Sequence, residues 1–226
     1  MAIEALIFDM DGTLVDSEPQ HHQAWEQTLI DHGVASFSWE KFTAYIGTSN
    51  EKVAADFIES AALDLEVAEL VRRKQQRYLR LIPQIHLLPG VAELLNRFAG
   101  NCRLAVASSS HLLELERILA VHGLGQIFAV VLGGDMVARK KPYPDIYLEA
   151  SRRLGVAPHR CTAFEDSAAG VLAAKRAGMT VVAVPNSWSQ GHDFSPADLV
   201  IARIDQVDAG VLGELIAPCA PASAPR

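Results

Sequence analysis

In the segment IFDMDGTLVDS, residues 7–17, two aspartates stand at alternate positions directly after an apolar run. Side chains alternate across an extended strand, so Asp9 and Asp11 point the same way if the strand persists. Two carboxylates held close together resist ionising together unless a cation or a shared proton sits between them. Polar groups also close other apolar runs: Ser108-Ser109-Ser110 after RLAVA, Glu165-Asp166-Ser167 after CTAF, and Lys141 in RKKP after AVVLGGD. Singly, each has an ordinary explanation. Asp-x-Asp is common in turns, serines and acids cap helices, and a lone lysine is usually solvated. Together, carboxylates from separate strands with a lysine and a serine make a site for a hard divalent cation beside a phosphoryl group. Magnesium takes oxygen ligands, often one or two carboxylates with substrate phosphate and water. Lysine and hydroxyl groups bind phosphate oxygens. An aspartate can attack phosphorus, and a second can protonate the leaving oxygen and later deprotonate water.

The elements that must bring these groups together are short apolar runs separated by helical patterns. Strands are expected at 2–8, 103–107, 129–132, 161–164 and 180–184, with a further one at 198–201. Val91, Leu94, Leu95 and Phe98 recur at helical spacing, as do Leu112, Leu115, Ile118 and Leu119. An alanine-rich helix over 167–177 stops before Gly178. Alternating strands and helices imply an α/β fold, a Rossmann-like, doubly wound parallel sheet with helices on both faces. In such sheets ligands bind at the carboxyl ends of the strands, where the acids, serines and Lys141 all fall. The stretch from Asp16 to Leu88 shows no clear strand but several helical patterns, including 51–62 and 65–82, and reads as an inserted helical domain.

The chain has 226 residues, half of them hydrophobic, enough for one large core and a small accessory domain. A formal net charge of −7 argues against a general nucleic-acid binder but not against a small anionic substrate. Cys102, Cys161 and Cys219 match no zinc spacing and read as ordinary thiols of a reduced, cytoplasmic protein. No apolar run approaches the length of a membrane span, and the first residues lack the basic region of a signal peptide.

DMDGTLVDS, VASSS, KKPYPDIY and FEDSAAG, in that order, resemble the four motifs of the haloacid dehalogenase superfamily, specifically its β-phosphoglucomutase-like phosphatases. The resemblance implies a core domain over 1–15 and 89–216 with a helical cap over 16–88; the tail over 217–226 lies outside it and, proline- and alanine-rich without periodicity, reads as disordered. The resemblance also implies Asp9 as nucleophile and metal ligand, and Asp11 as general acid/base with its carbonyl on the metal. Ser108, Ser109 and Lys141 would hold the phosphoryl group, and Glu165 and Asp166 would complete a Mg2+ site. In the cap, Gly47 and Thr48 resemble a specificity loop, Lys74 a substrate-facing lysine, and His21 a hinge-side histidine. Asn50 and His111 stand where the mutase carries the cations that grip a distal phosphate, which favours hydrolysis over phosphate exchange. The GDMVARKKPYPDIY stretch looks closest to members that dephosphorylate sugar bisphosphates. The expectation is a Mg2+-dependent phosphatase of a small phosphorylated metabolite, a sugar phosphate first, working as a monomer or weak dimer without nucleic acid or membrane. The alternatives are a sugar phosphomutase and, in another class, an inactive regulatory protein that retains the fold.

Overall fold

The structure is a computed structural model that describes residues 3–46 and 48–207. Gly47, the proposed tail and Cys219 therefore lie outside the described residues. The chain divides into two compact units, Met1–Asp16 with His86–Arg226, and Ser17–Ile85.

The first unit is built on strands β1 (Ala5–Phe8) and, after the short β2 (Val15–Asp16), the insertion. It resumes with β3 (His86–Leu87), which pairs antiparallel with β2. Two-residue strands are too short to show any alternation, so the sequence pattern does not reveal them.

The insertion is the second unit, with helices α1 (Glu18–Ile30), α2 (Trp39–Thr43), α3 (Asn50–Ser60) and α4 (Val67–Leu81). Trp25, Leu29, Phe37, Phe42, Val53, Ala54 and Leu70 form its core, with Phe37 edge-on to Phe57 at 4.8 Å. Ser38 and Ser49 cap α2 and α3 through their side chains.

Beyond the insertion come α5 (Val91–Phe98), β4 (Arg103–Ala107), α6 (Leu112–Val121), β5 (Val130–Leu132), α7 (Asp145–Leu154), β6 (Cys161–Glu165), α8 (Ala168–Arg176), β7 (Thr180–Ala183) and β8 (Leu199–Val200). The main sheet is parallel, in the order β5-β4-β1-β6-β7-β8. Small residues line one face: Ala5, Ala105, Ala107, Ala163 and Ala183 leave room for α7 and α8 to pack close, with Tyr147, Ala150, Val171 and Ala174 against them. The other face is bulkier, with Phe8 stacked on Phe164 at 4.7 Å. The strand order steps outward from β1 in both directions, which puts helices on both faces and a switch point beside β1.

Register decides where the chemistry can gather. Phe8 lies level with Val106 on one side and Phe164 on the other. One residue further on, Asp9, Ala107 and Glu165 come level, and Ser108 follows at the same edge.

Cys161 is a buried free thiol, and burial pushes its pKa up to about 12, which makes it inert. Cys102 is buried just before β4. No helix among the described residues is long and apolar enough to cross a membrane.

Candidate active site

Asp9 follows β1 directly, and its backbone N–H still donates to the Phe164 carbonyl (3.0 Å), so the strand ladder fixes its position. Its Oδ1 accepts a hydrogen bond from Lys141 Nζ at 2.7 Å, and the same ammonium donates to Glu165 Oε1 at 2.5 Å. Lys141 thus bridges the ends of two adjacent strands, with a side chain only 6% exposed. Glu165, at the last position of β6, is fully buried. Tyr147 from α7 donates to its Oε1 (2.5 Å), and Ser167 donates to its Oε2 through both Oγ (3.0 Å) and N–H (3.4 Å). Ser167 also caps α8 by accepting from Gly170 N–H at 3.1 Å.

Asp11 Oδ2 accepts from Ser110 Oγ at 2.6 Å and lies 3.5 Å from Ser108 Oγ. Ser108 is buried and accepts from the Ser110 N–H (3.2 Å), whereas Ser109 is exposed. Asp166 Oδ2 accepts from Asn186 Nδ2 at 2.7 Å.

Two carboxyl groups, those of Asp9 and Glu165, therefore share one ammonium, with Asp11 and Asp166 near enough to act on Asp9. Burial raises the Asp9 pKa to about 7, with Lys141 pulling it down and Glu165 and Asp11 pushing it up. Asp166 is raised well above the ordinary carboxyl range by burial first, then by Asp9 and Glu165. Burial alone would lower the Lys141 pKa, but the Asp9 and Glu165 carboxyls more than offset that and hold it above its usual value. Burial, then Glu165, holds the Tyr147 hydroxyl well above its usual pKa, so it stays a donor.

One oxygen each from Asp9, Glu165 and Asp166 lies within 4.8 Å of the others. Hard oxygen donors in a surplus of negative charge are the ligand chemistry that suits a small divalent cation, so these residues fit Mg2+.

The family model for haloacid dehalogenase-like hydrolases matches residues 3–178. This chain belongs to that family. As haloacid dehalogenase-like enzymes go, it carries two aspartates in its first motif, and its activity is that of a phosphoric monoester hydrolase. Protein CbbY of Rhodobacter capsulatus is 39% identical, over 95% of this chain and 100% of that protein. Fructose-1-phosphate phosphatase YqaB of Escherichia coli is 35% identical, over 79% of this chain and 95% of that one. The crystal structure of a Rhodobacter sphaeroides CbbY in complex with xylulose-(1,5)bisphosphate superposes with a TM-score of 0.82 at 35% identity, covering 90% of this chain and 96% of that one.

Within the hydrolase, the expected site residues of the α/β unit converge at one sheet edge, Ser109 excepted. The helical unit has its own polar cluster. Lys74 Nζ is buried and donates to His21 Nδ1 (2.7 Å) and Asn50 Oδ1 (3.1 Å), with the Tyr78 ring beneath it at 4.9 Å. An ammonium only donates, so Nδ1 of His21 accepts and its proton sits on Nε2. Burial, then Lys74, holds the His21 pKa well below its usual value. Thr48 Oγ1 donates to the Tyr45 carbonyl (2.7 Å), and His111 lies 3.8 Å from Asp135. Tyr147 and Asn186 are not singled out by the sequence, and Ser110 only as the last of a serine triplet, without a role. Tyr147 stands inside the KKPYPDIY motif and Ser110 inside the serine triplet, so motif position was the available signal for both.

Gly170 packs against the Glu165 carboxyl, and a Cβ there would lie 1.9 Å from it. Alanine would gain about 1 kcal/mol in helix propensity, yet overpacking of this kind costs about 1–3 kcal/mol and the clash displaces the anchor of Lys141. Gly170→Ala is therefore expected to lower both the melting temperature and turnover. A variant more stable than the parent in a thermal melt would contradict this packing.

Proposed function

We propose that this hydrolase is a Mg2+-dependent phosphatase of a small phosphorylated sugar, acting through an aspartyl-phosphate on Asp9. The observation that supports it most is the convergence of Asp9, Asp11, Ser108 and Lys141 at the edge where Glu165 and Asp166 also end. Asp9 would attack phosphorus while Asp11 protonates the departing ester oxygen. The same Asp11 then takes a proton from the water that cleaves the acyl-phosphate. Ser110 holds the Asp11 carboxyl in place, and Ser108 and Lys141 supply donors to the oxygens of the transferring group. Asp9, Glu165, Asp166 and the Asp11 carbonyl would hold Mg2+, which when bound neutralises charge on the phosphoryl oxygens and on the clustered carboxylates.

A bisphosphorylated pentulose, of the kind bound by the Rhodobacter sphaeroides relative, is the first candidate substrate. His111 beside Asp135 and Asn50 bonded to Lys74 give no pair of spare cations for gripping a second phosphate through an exchange, which supports hydrolysis over isomerisation. We assign the helical insertion the role of a cap, with His21, Gly47, Thr48 and Lys74 as its candidate substrate residues. Sugar phosphates are charged and stay inside cells, which supports a cytoplasmic setting.

The test is phosphate release from a panel of sugar mono- and bisphosphates with Mg2+. Turnover of a sugar phosphate at least tenfold above nucleotide monophosphates is expected. Conversion between phosphate isomers without free phosphate would overturn the reading in favour of a mutase.

Metal removal gives a second expected outcome. Excess chelator should abolish turnover, and Mg2+ should restore it. Asp9 has a folded-state pKa raised to about 7 from an ordinary 3.8, so between those values the folded, metal-free protein holds more protons than the unfolded chain. The stability contributed by this group is greatest below about pH 4 and declines as the pH rises towards 7. A metal ion competes with that proton. The rise in melting temperature on adding Mg2+ should therefore be larger at pH 8 than at pH 6, and a shift that is equal or larger at pH 6 would contradict it.

A further inference from the structure

We propose that Asn186 is a positioning residue for the metal site, locking the Asp166 carboxylate to the nucleophile loop. Asn186 lies in the loop after β7, outside all four sequence motifs. Its Nδ2 donates to Asp166 Oδ2 at 2.7 Å and to the Gly12 carbonyl at 3.2 Å. Its Oδ1 accepts from the backbone N–H of Trp188 (2.8 Å) and of Ser189 (3.1 Å), and from Ser189 Oγ at 3.3 Å. The Asn186 N–H donates in turn to Ser189 Oγ at 3.0 Å, and Ser189 is 2% exposed.

These partners fix which end of the amide is which. The Gly12 carbonyl can only accept, and the Trp188 and Ser189 amides can only donate, so nitrogen must face Gly12 and Asp166. Both Nδ2 hydrogens are then used. A side chain clamped by its own loop at one end and bonded to two other loops at the other has almost no rotameric freedom left to lose.

Gly12 shows how tightly the three loops meet. It has φ +79°, and a Cβ there would lie 2.2 Å from Asp166 Oδ2 and 2.6 Å from Asn186 Nδ2. The nucleophile loop, the β6–α8 loop and the β7–β8 loop thus touch at a point where only glycine fits. Asn186 ties Asp166, one of the three carboxylates of the proposed metal site, to the residue next to Asp11. Asp166 Oδ2 is engaged by the amide, which leaves Oδ1 as the oxygen to offer a cation. Groups that orient a ligand from behind typically change metal affinity by about 10–100-fold when removed.

The inference rests on the proposed metal role of Asp166, and titration calorimetry with MgCl2 separates the two. The parent protein, Asn186→Ala and Ser189→Ala are each titrated, with thermal melts alongside. Asn186→Ala should weaken the Mg2+ Kd by about tenfold or more. Ser189→Ala, which leaves Asn186 in place but loosens its clamp, should weaken it by a smaller factor. Turnover of Asn186→Ala should need correspondingly more Mg2+ and recover most of the parental kcat at saturation. No Mg2+ binding by the parent would remove the metal reading itself. Parental binding with an Asn186→Ala Kd within twofold of it, whatever the melting temperature, would reduce Asn186 to a loop brace and overturn the inference. Should Asn186→Ala fail to fold, an unchanged Kd in Ser189→Ala overturns it equally.

Discussion

Asp9→Asn is expected to lower phosphate release by about four orders of magnitude or more while the protein stays folded. That is the scale of loss when a nucleophile that forms the covalent intermediate is removed. The amide is nearly the same size, and its Oδ1 can still accept from Lys141 Nζ, so the bridge between the strand ends survives in part. It cannot form an acyl-phosphate under these conditions. Burial already disfavours the ionised carboxyl, as the pKa near 7 records, so a neutral amide costs little there and relieves repulsion from Glu165 and Asp11. The melting temperature of the metal-free variant at pH 8 should therefore equal or exceed that of the parent. Turnover within tenfold of the parent would sink Asp9 as nucleophile. Lost turnover with a collapsed melt would instead mark Asp9 as a structural residue.

The parts of this molecule that were legible in the sequence are those whose signal is local. β1, β4 and β6 are buried apolar runs closed by polar residues, and parallel register then forces Asp9, Ser108 and Glu165 to one edge. The helices of the insertion show because their apolar positions recur at helical spacing. What was hidden depends on partners far along the chain. Tyr147 meets Glu165 across 18 residues and Ser110 meets Asp11 across 99, and no window of sequence contains either pair. Asn186 sits in VPNSWSQ, where a turn is the whole local message. Lys74 is the instructive case. Its neighbours in RRKQQRYLR suggest a solvated face, yet Leu70, Lys74, Tyr78 and Leu81 are the buried stripe of α4. The period of the stripe was there to read, but charge composition outweighed it. A buried ammonium is tolerated because His21 and Asn50 accept its hydrogen bonds and the Trp25 and Tyr78 rings flank it, and of these partners α4 itself supplies only Tyr78.

Lys141→Met should separate the two tasks that the bridge between Asp9 and Glu165 performs. Methionine keeps the length of the stem and removes the charge. In the reaction, the ammonium is one of the few cationic donors at the sheet edge, so its loss should reduce turnover by about 10²–10³-fold, the usual cost of one donor to a developing oxyanion. In the folded protein, it is the counter-ion to two carboxyls that are themselves almost wholly buried. Removing one partner of a buried ion pair commonly costs about 3–5 kcal/mol, because the other charge is left uncompensated. Here part of that cost can be avoided in two ways. Asp9 already holds its proton up to about pH 7, and losing Lys141 removes the group that pulls that value down, so acidification should restore stability. A divalent cation bound by the same carboxylates would neutralise them as well. The variant should therefore melt well below the parent at pH 8 without metal, with the gap narrowing at pH 6 and narrowing again on adding Mg2+, while turnover stays low throughout. Rescue of stability without rescue of rate is the signature of a lysine that both holds the acids together and serves the phosphoryl group. A variant with parental turnover, or one whose stability loss ignores both pH and Mg2+, would show that Lys141 is not the counter-ion of this site.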